Sequence, residues 1–184
     1  MEITKKITVA GFGGQGVMMI GQMIAHAANE EGLNTLWYPS YGPETRGGTA
    51  NCTVTVSTSL INSPVFSKAD TLIIMNKPSL EKFIEKVVDG GEIIYNSSLI
   101  DEVVRLDNIR SYPVPANDLA MELGNIRVSN MIILGAYLAL NKELSLKVIH
   151  QVLEKILGEK KRNLLAINIK ALDAGINYIN EMVK

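Results

Sequence analysis

The 184-residue chain has one cysteine, Cys52. It therefore forms no internal disulfide, and it has far too few thiolates for a structural zinc or an iron–sulfur cluster, which take about four ligands. Its two histidines, His26 and His150, stand far apart in helical patterns and read as structural or surface residues. The longest apolar stretch, 131–140, falls well short of the ~20 residues a membrane helix needs. The opening Met1-Glu2-Ile3-Thr4-Lys5-Lys6 has no apolar signal core. A net charge of −1 gives no general attraction to nucleic acid or to an anionic membrane, so any anion site must be local. Catalytic groups are missing as well: no Ser-His-Asp setting, no metal-ligand cluster and no nucleophile with an evident base. The reading is a cytoplasmic protein with no catalytic residues and no metal ligands of its own. With 47% hydrophobic and 20% charged residues, the chain is ordered and forms one domain over residues 1–184.

What is present begins with Gly11-Phe12-Gly13-Gly14-Gln15-Gly16, directly behind the apolar run Ile7-Thr8-Val9-Ala10. A strand, a glycine turn and a helix start in this order let backbone N–H groups approach a phosphate. In the G-x-G-x-x-G reading, Gly11 permits the turn, Gly13 admits a ligand to the main chain, and Gly16 lets the helix pack on the sheet. No Gly-Lys-Ser/Thr follows, so this is not a Walker loop. A dinucleotide site would need an acid about 20 residues on, where Tyr38-Pro39-Ser40 offers none. The alternative is a tight strand-to-helix turn that binds nothing.

The second loop is Tyr41-Gly42-Pro43-Glu44-Thr45-Arg46-Gly47-Gly48. Turn-forming residues bracket Glu44 and Arg46. Arg46 offers a planar fork to a phosphate or carboxylate, and Glu44 can pair with it or with a partner. At the end of the second strand, this loop lies beside the glycine turn in an open α/β sheet, where ligands gather.

Periodicity supplies the remaining elements. Strands are expected at 7–10, 34–38, 71–75, 92–95 and 109–114. Helices are expected at 16–31 and from Pro78 to near Val88, with Asp89-Gly90-Gly91 as a turn. Ala50, Cys52, Val54 and Val56 alternate with Thr49, Asn51, Thr53, Thr55 and Ser57, which describes a half-wet strand, antiparallel or at a sheet edge. After Pro115 everything reads as helix, with 128–140 buried and Ser145 capping the next helix. Leu165, Ile169, Leu172, Ile176, Ile179 and Val183 form a stripe that would dock on the sheet or, less simply, on another subunit. The fold class is α/β: a three-layer α/β/α Rossmann-like domain with a mixed sheet and a helical C-terminal third.

Both loops together, with Ser63-Pro64, Asn76-Lys77-Pro78-Ser79, Gly90-Gly91, Asn96-Ser97-Ser98 and Glu122-Leu123-Gly124-Asn125, resemble the gamma subunit of 2-oxoacid:ferredoxin oxidoreductases. The loop wording is most similar to the 2-oxoisovalerate and 2-oxoglutarate branches. The resemblance implies a multisubunit enzyme that oxidatively decarboxylates a 2-oxoacid to an acyl-CoA and reduces ferredoxin. Thiamine diphosphate with magnesium and [4Fe-4S] clusters would sit on alpha, beta and delta-type partner subunits, in a complex that can dimerise. This accords with one cysteine and with the absence of a Gly-Asp-Gly thiamine diphosphate signature. Coenzyme A would be contacted by Gly11, Gly13, Gly14, Gln15 and Gly16, and by Tyr41, Gly42, Glu44, Arg46 and Gly47, unless the second loop meets only partner subunits. The competing reading is a stand-alone nucleotide-binding or regulatory module.

Overall fold

β1 (Thr4–Phe12) lies inside the sheet, with Ile7 to Gly11 buried. This is a computed structural model, and it describes residues 3–40 and 49–184. The strands β2 (Asn34–Ser40), β3 (Thr49–Ser57), β4 (Ala69–Ile74), β5 (Val87–Asn96) and β6 (Arg110–Val114) complete one sheet, in the order β2-β3-β1-β4-β5-β6. β1, β4, β5 and β6 are mutually parallel, while β3 runs antiparallel to both β1 and β2.

β3 is therefore antiparallel, but it is interior rather than at the edge. Ala50, Cys52 and Val54 are buried beneath α1 (Val17–Glu30), while Thr49, Asn51 and Thr53 on the opposite face stay half-exposed. Its position also changes the dinucleotide argument. The strand after α1, β2, lies two places from β1, with antiparallel β3 between them. The site where a ribose-binding acid would stand therefore does not exist in this topology.

α1 ends at its glycine as expected. Gly32 adopts φ +82°, its N–H reaches Asn29 O at 3.0 Å, and Leu33 N–H reaches Ala28 O at 2.9 Å, which closes the last turn. α2 (Lys77–Phe83) starts at Asn76, whose Oδ1 accepts from Ser79 N–H at 3.0 Å, with Pro78 in its first turn. The helix is shorter than its sequence pattern suggests. It tightens into a 3₁₀ turn over Ile84–Lys86, and β5 opens at Val87. Asp89-Gly90-Gly91 is a bulge within β5, not a turn between elements. Gly90 takes φ +79°, and the pairing jumps from Ala69–Val87 to Thr71–Glu92.

The two faces are packed unequally. One carries α1 and α4 (Ser129–Leu140), with Ile7, Val9, Val54, Ile73 and Ile94 beneath Ile20, Ile24 and Ile132. The other carries α2, which buries Leu80 and Phe83 with Ala10, Leu72, Ile74 and Ile93. Each such valine, leucine, isoleucine or phenylalanine contributes about 1.5–3 kcal/mol of burial. α3 (Ala116–Glu122) and α5 (Leu146–Leu157) complete the α1/α4 side, and Ser145 caps α5 by accepting from Val148 N–H at 3.4 Å.

α6 (Leu165–Met182) docks chiefly on α4 rather than on the sheet. Its buried stripe is Asn168, Ala171, Leu172, Gly175 and Ile179, whereas Val183 is exposed. The stripe is rotated because small residues set the contact: Gly135 of α4 sits against the Leu172 backbone, and Gly175 against the Ile132 backbone. Among the described residues no helix is long and apolar enough to cross a membrane.

Candidate functional site

The glycine turn stands at the carboxyl edge of β1. Gln15 N–H donates to Phe12 O at 3.1 Å, closing a four-residue turn through Gly13 and Gly14. Gly14 has φ +95° and open space around it, and Gly16 has φ +75°. These two, rather than Gly11, supply the backbone freedom. Gly11 has a different task, since a Cβ there would lie 2.8 Å from both Met75 Cβ and Val17 Cγ1. Gly16 packs against Asn130 of α4, not against the sheet, and Asn130 Nδ2 donates to Gly16 O at 3.5 Å.

No acceptor among the described residues takes the N–H groups of Gly13, Gly14 or Gly16. Gly13 and Gly14 are exposed, and α1 starts immediately after them with no side-chain cap. The turn thus presents unclaimed donors at the positive end of a 14-residue helix, an arrangement suited to an anion.

Gln15 points the other way. Its Oε1 accepts from Phe12 N–H at 2.6 Å and from Asn76 Nδ2 at 2.8 Å. The side chain is a staple between the turn and the N-cap of α2, and is not turned outward with the glycines.

The structure brings to the site residues that the sequence offered only as part of the family resemblance. Asn76 follows β4 and Asn96 ends β5, both buried. Asn96 Nδ2 donates to Asn117 Oδ1 at 3.0 Å and to Met75 O at 3.5 Å. Ser98 accepts from Asn117 N–H and Asp118 N–H at 3.2 Å each. A row of carboxamides therefore seals the carboxyl edge from β1 to β6. The signal was in the sequence: asparagine recurs at the ends of successive strands, a pattern visible only once the strand ends are aligned.

Tyr41, Gly42, Glu44, Arg46 and Gly47 lie outside the described residues. The points where this segment leaves and returns are defined. Ser40 pairs with Asn51, and Thr49 pairs with Phe12 beside the glycine turn. Lys82 of α2 reaches over to donate to Thr49 Oγ1 at 3.1 Å. Cys52 lies elsewhere, in the core beneath Gly21, and burial pushes its thiol up to about 11. It has no nucleophilic role in this setting.

Comparison with known proteins decides the family. Residues 6–178 match the family model described as pyruvate ferredoxin/flavodoxin oxidoreductase. The chain belongs to this family. It is 36% identical over 179 residues to the ketoisovalerate oxidoreductase subunit VorA of Methanothermobacter thermautotrophicus, covering 97% of this chain and 37% of that relative. The family member described here thus spans little more than a third of the VorA polypeptide. It is also 30% identical to the 2-oxoglutarate synthase subunit KorC of the same organism, over 90% of this chain and 93% of the relative. In structure it is similar to the 2-oxoglutarate:ferredoxin oxidoreductase of Magnetococcus marinus, solved with 2-oxoglutarate, coenzyme A and succinyl-CoA bound. The TM-score is 0.88 at 27% identity, over 97% of this chain and 31% of that one.

Proposed function

We propose that this chain is the gamma-type subunit of a cytoplasmic 2-oxoacid:ferredoxin oxidoreductase and that it positions coenzyme A. The carrying observation is the outward-facing glycine turn, whose Gly13, Gly14 and Gly16 N–H groups are unclaimed among the described residues at the start of α1. Coenzyme A bears a pyrophosphate and a ribose phosphate, the groups such donors hold. Arg46 would complete the charge match with its guanidinium. Held in this way, the thiol meets the acyl intermediate as a near-intramolecular partner, for which ideal effective molarities reach ~10⁵ M or more.

The rest of the reaction falls to partners. One cysteine cannot hold a four-ligand cluster, and the chain offers no acid–base pair. Thiamine diphosphate, magnesium and [4Fe-4S] clusters then belong on alpha, beta and delta-type subunits, through which ferredoxin is reduced. The VorA and KorC relatives, at 36% and 30% identity against 28% for a pyruvate synthase subunit PorC, favour a 2-oxoisovalerate or 2-oxoglutarate substrate.

The test is reconstitution of the complex with Gly13→Val. A side chain at Gly13 intrudes on a phosphate at the turn, so the KM for coenzyme A should rise about tenfold or more while the KM for the 2-oxoacid holds. Unchanged coenzyme A kinetics in a folded, assembled variant would remove the turn from the site. Purification of the native chain alone, with no oxidoreductase subunits, would favour the stand-alone module.

A further inference from the structure

Among the described residues, the β2–β3 end of the face that carries α2 is left without a helix. α1 packs over one side of β2 and β3, burying Cys52 and Val54. The opposite side of these strands presents Tyr38, Thr49, Asn51 and Thr53, since directly paired residues share a face and Tyr38 pairs with Thr53. Phe12 joins them through its pairing with Thr49. Among the described residues no helix forms a layer here; the 58–68 segment crosses, held where Thr53 Oγ1 donates to Pro64 O at 3.4 Å, and the Lys82 side chain reaches Thr49 from α2.

This side concentrates exposed apolar groups: Tyr38 is 52% exposed, Val65, next to Pro64, 70% and Phe12 37%. A lone exposed side chain needs no explanation, but two aromatics and a valine bordering threonines make the mixed apolar–polar surface typical of subunit interfaces. The patch also adjoins the functional edge. Phe12 leads into the glycine turn, and Ser40 and Thr49 flank residues 41–48.

The family relatives indicate the occupant. The region similar to this chain is 37% of VorA and 31% of the Magnetococcus chain, yet 93% of KorC. A domain that occurs both fused and as a separate subunit must keep a surface for the same neighbour when the covalent link is gone. We propose that the Phe12–Tyr38–Val65 face is the docking surface for the subunit equivalent to the remaining two thirds of the fused relatives. Docking there brings that subunit to the glycine turn. The proposal rests on the oxidoreductase-subunit reading above.

The experiment compares Tyr38→Glu and Val65→Glu with Leu146→Glu and Met182→Glu, exposed positions on α5 and α6. Each is reconstituted with that partner subunit, with association measured by sedimentation and folding by thermal midpoint. The first pair should weaken association at least about tenfold at unchanged midpoint, and the second pair should leave it intact. Hydrogen exchange on the wild-type chain should show new protection over 34–40, 49–57 and 58–66 on assembly. Protection confined to α5 and α6, or full assembly by Tyr38→Glu with Val65→Glu, overturns this surface and leaves the subunit reading standing. A wild-type chain that binds no such subunit overturns both.

Discussion

Gln15 Oε1 lies 2.8 Å from Asn76 Nδ2, so one side chain ties the glycine turn to the first residue of α2's cap. The same oxygen takes Phe12 N–H at 2.6 Å. Gln15→Ala removes both bonds, and at about 1 kcal/mol each it should cost roughly 1–3 kcal/mol. At about 2–4 °C per kcal/mol for a domain of this size, the thermal midpoint should fall by several degrees. Gln15→Glu keeps the acceptor and recovers part of that loss, while its carboxylate sits beside the turn and should raise the KM for coenzyme A in the complex. An alanine variant of full stability would mean that the staple contributes nothing.

The two left-handed glycines should respond differently to alanine. Gly14 has no atom within reach of a new Cβ, so Gly14→Ala carries only the backbone cost of φ +95°, about 1–2 kcal/mol. Gly16→Ala carries that cost and also drives a methyl into Asn130, which would have to abandon Gly16 O. Urea midpoints should rank wild type above Gly14→Ala, and Gly14→Ala above Gly16→Ala. Equal midpoints for the two variants would show that Asn130 yields freely.

Local chemistry was readable where a residue acts on its own backbone or on that of a near neighbour in sequence. The Gly32 cap, the Asn76–Pro78 helix start, the Ser145 cap and the half-polar alternation of β3 all follow from neighbours in sequence. Features that depend on distant partners were not. Gly90-Gly91 has the composition of a turn, and only pairing with β4 makes it a bulge. The α6 stripe pointed to its large apolar residues, whereas the observed face is set by Gly135 against the Leu172 backbone and Gly175 against the Ile132 backbone. Gln15 reads as a ligand residue in a glycine motif, and its inward turn is visible only once Asn76 is beside it. The place of β3 between β1 and β2 likewise cannot be read from strand order along the chain.

Cys52 should leave a signature at alkaline pH. Burial raises its thiol from 9.0 to about 11. From pH 9 upward the unfolded chain gives up this proton while the folded chain keeps it, so stability falls as pH rises through that window. The loss approaches about 2–3 kcal/mol by pH 11 and fades away as pH falls below 9. The Tyr137 phenol is also raised, by burial and then by Glu143 and Glu92, and it adds a loss of the same sign. Cys52→Ala removes only the thiol's share, so the wild-type and variant stability curves should converge toward high pH. Parallel curves from pH 8 to 11 would contradict a buried protonated thiol. Electron transfer in the complex should be unaffected by the substitution.

The α4–α6 crossing should be the least forgiving place in the chain. A Cβ at Gly135 meets the Leu172 backbone, and one at Gly175 meets the Ile132 and Ala136 backbones. Backbone cannot rotate aside as a side chain can, so Gly135→Ala or Gly175→Ala must push the helices apart and open the core beneath Ile132 and Leu172. Overpacking of this kind typically costs 1–3 kcal/mol, and contact with main chain on both sides places these two at or above the top of that range. Helix propensity works in the opposite direction, because alanine is favoured over glycine by only about 1 kcal/mol in a helix interior. The net effect should be a loss of at least about 2 kcal/mol for either variant by urea denaturation. The double variant should fall short of the sum of the singles, since helices already separated at one glycine give room at the other. Additive losses would mean that the two close approaches are independent, and a stabilised Gly175→Ala would mean that α6 does not lie this close to α4.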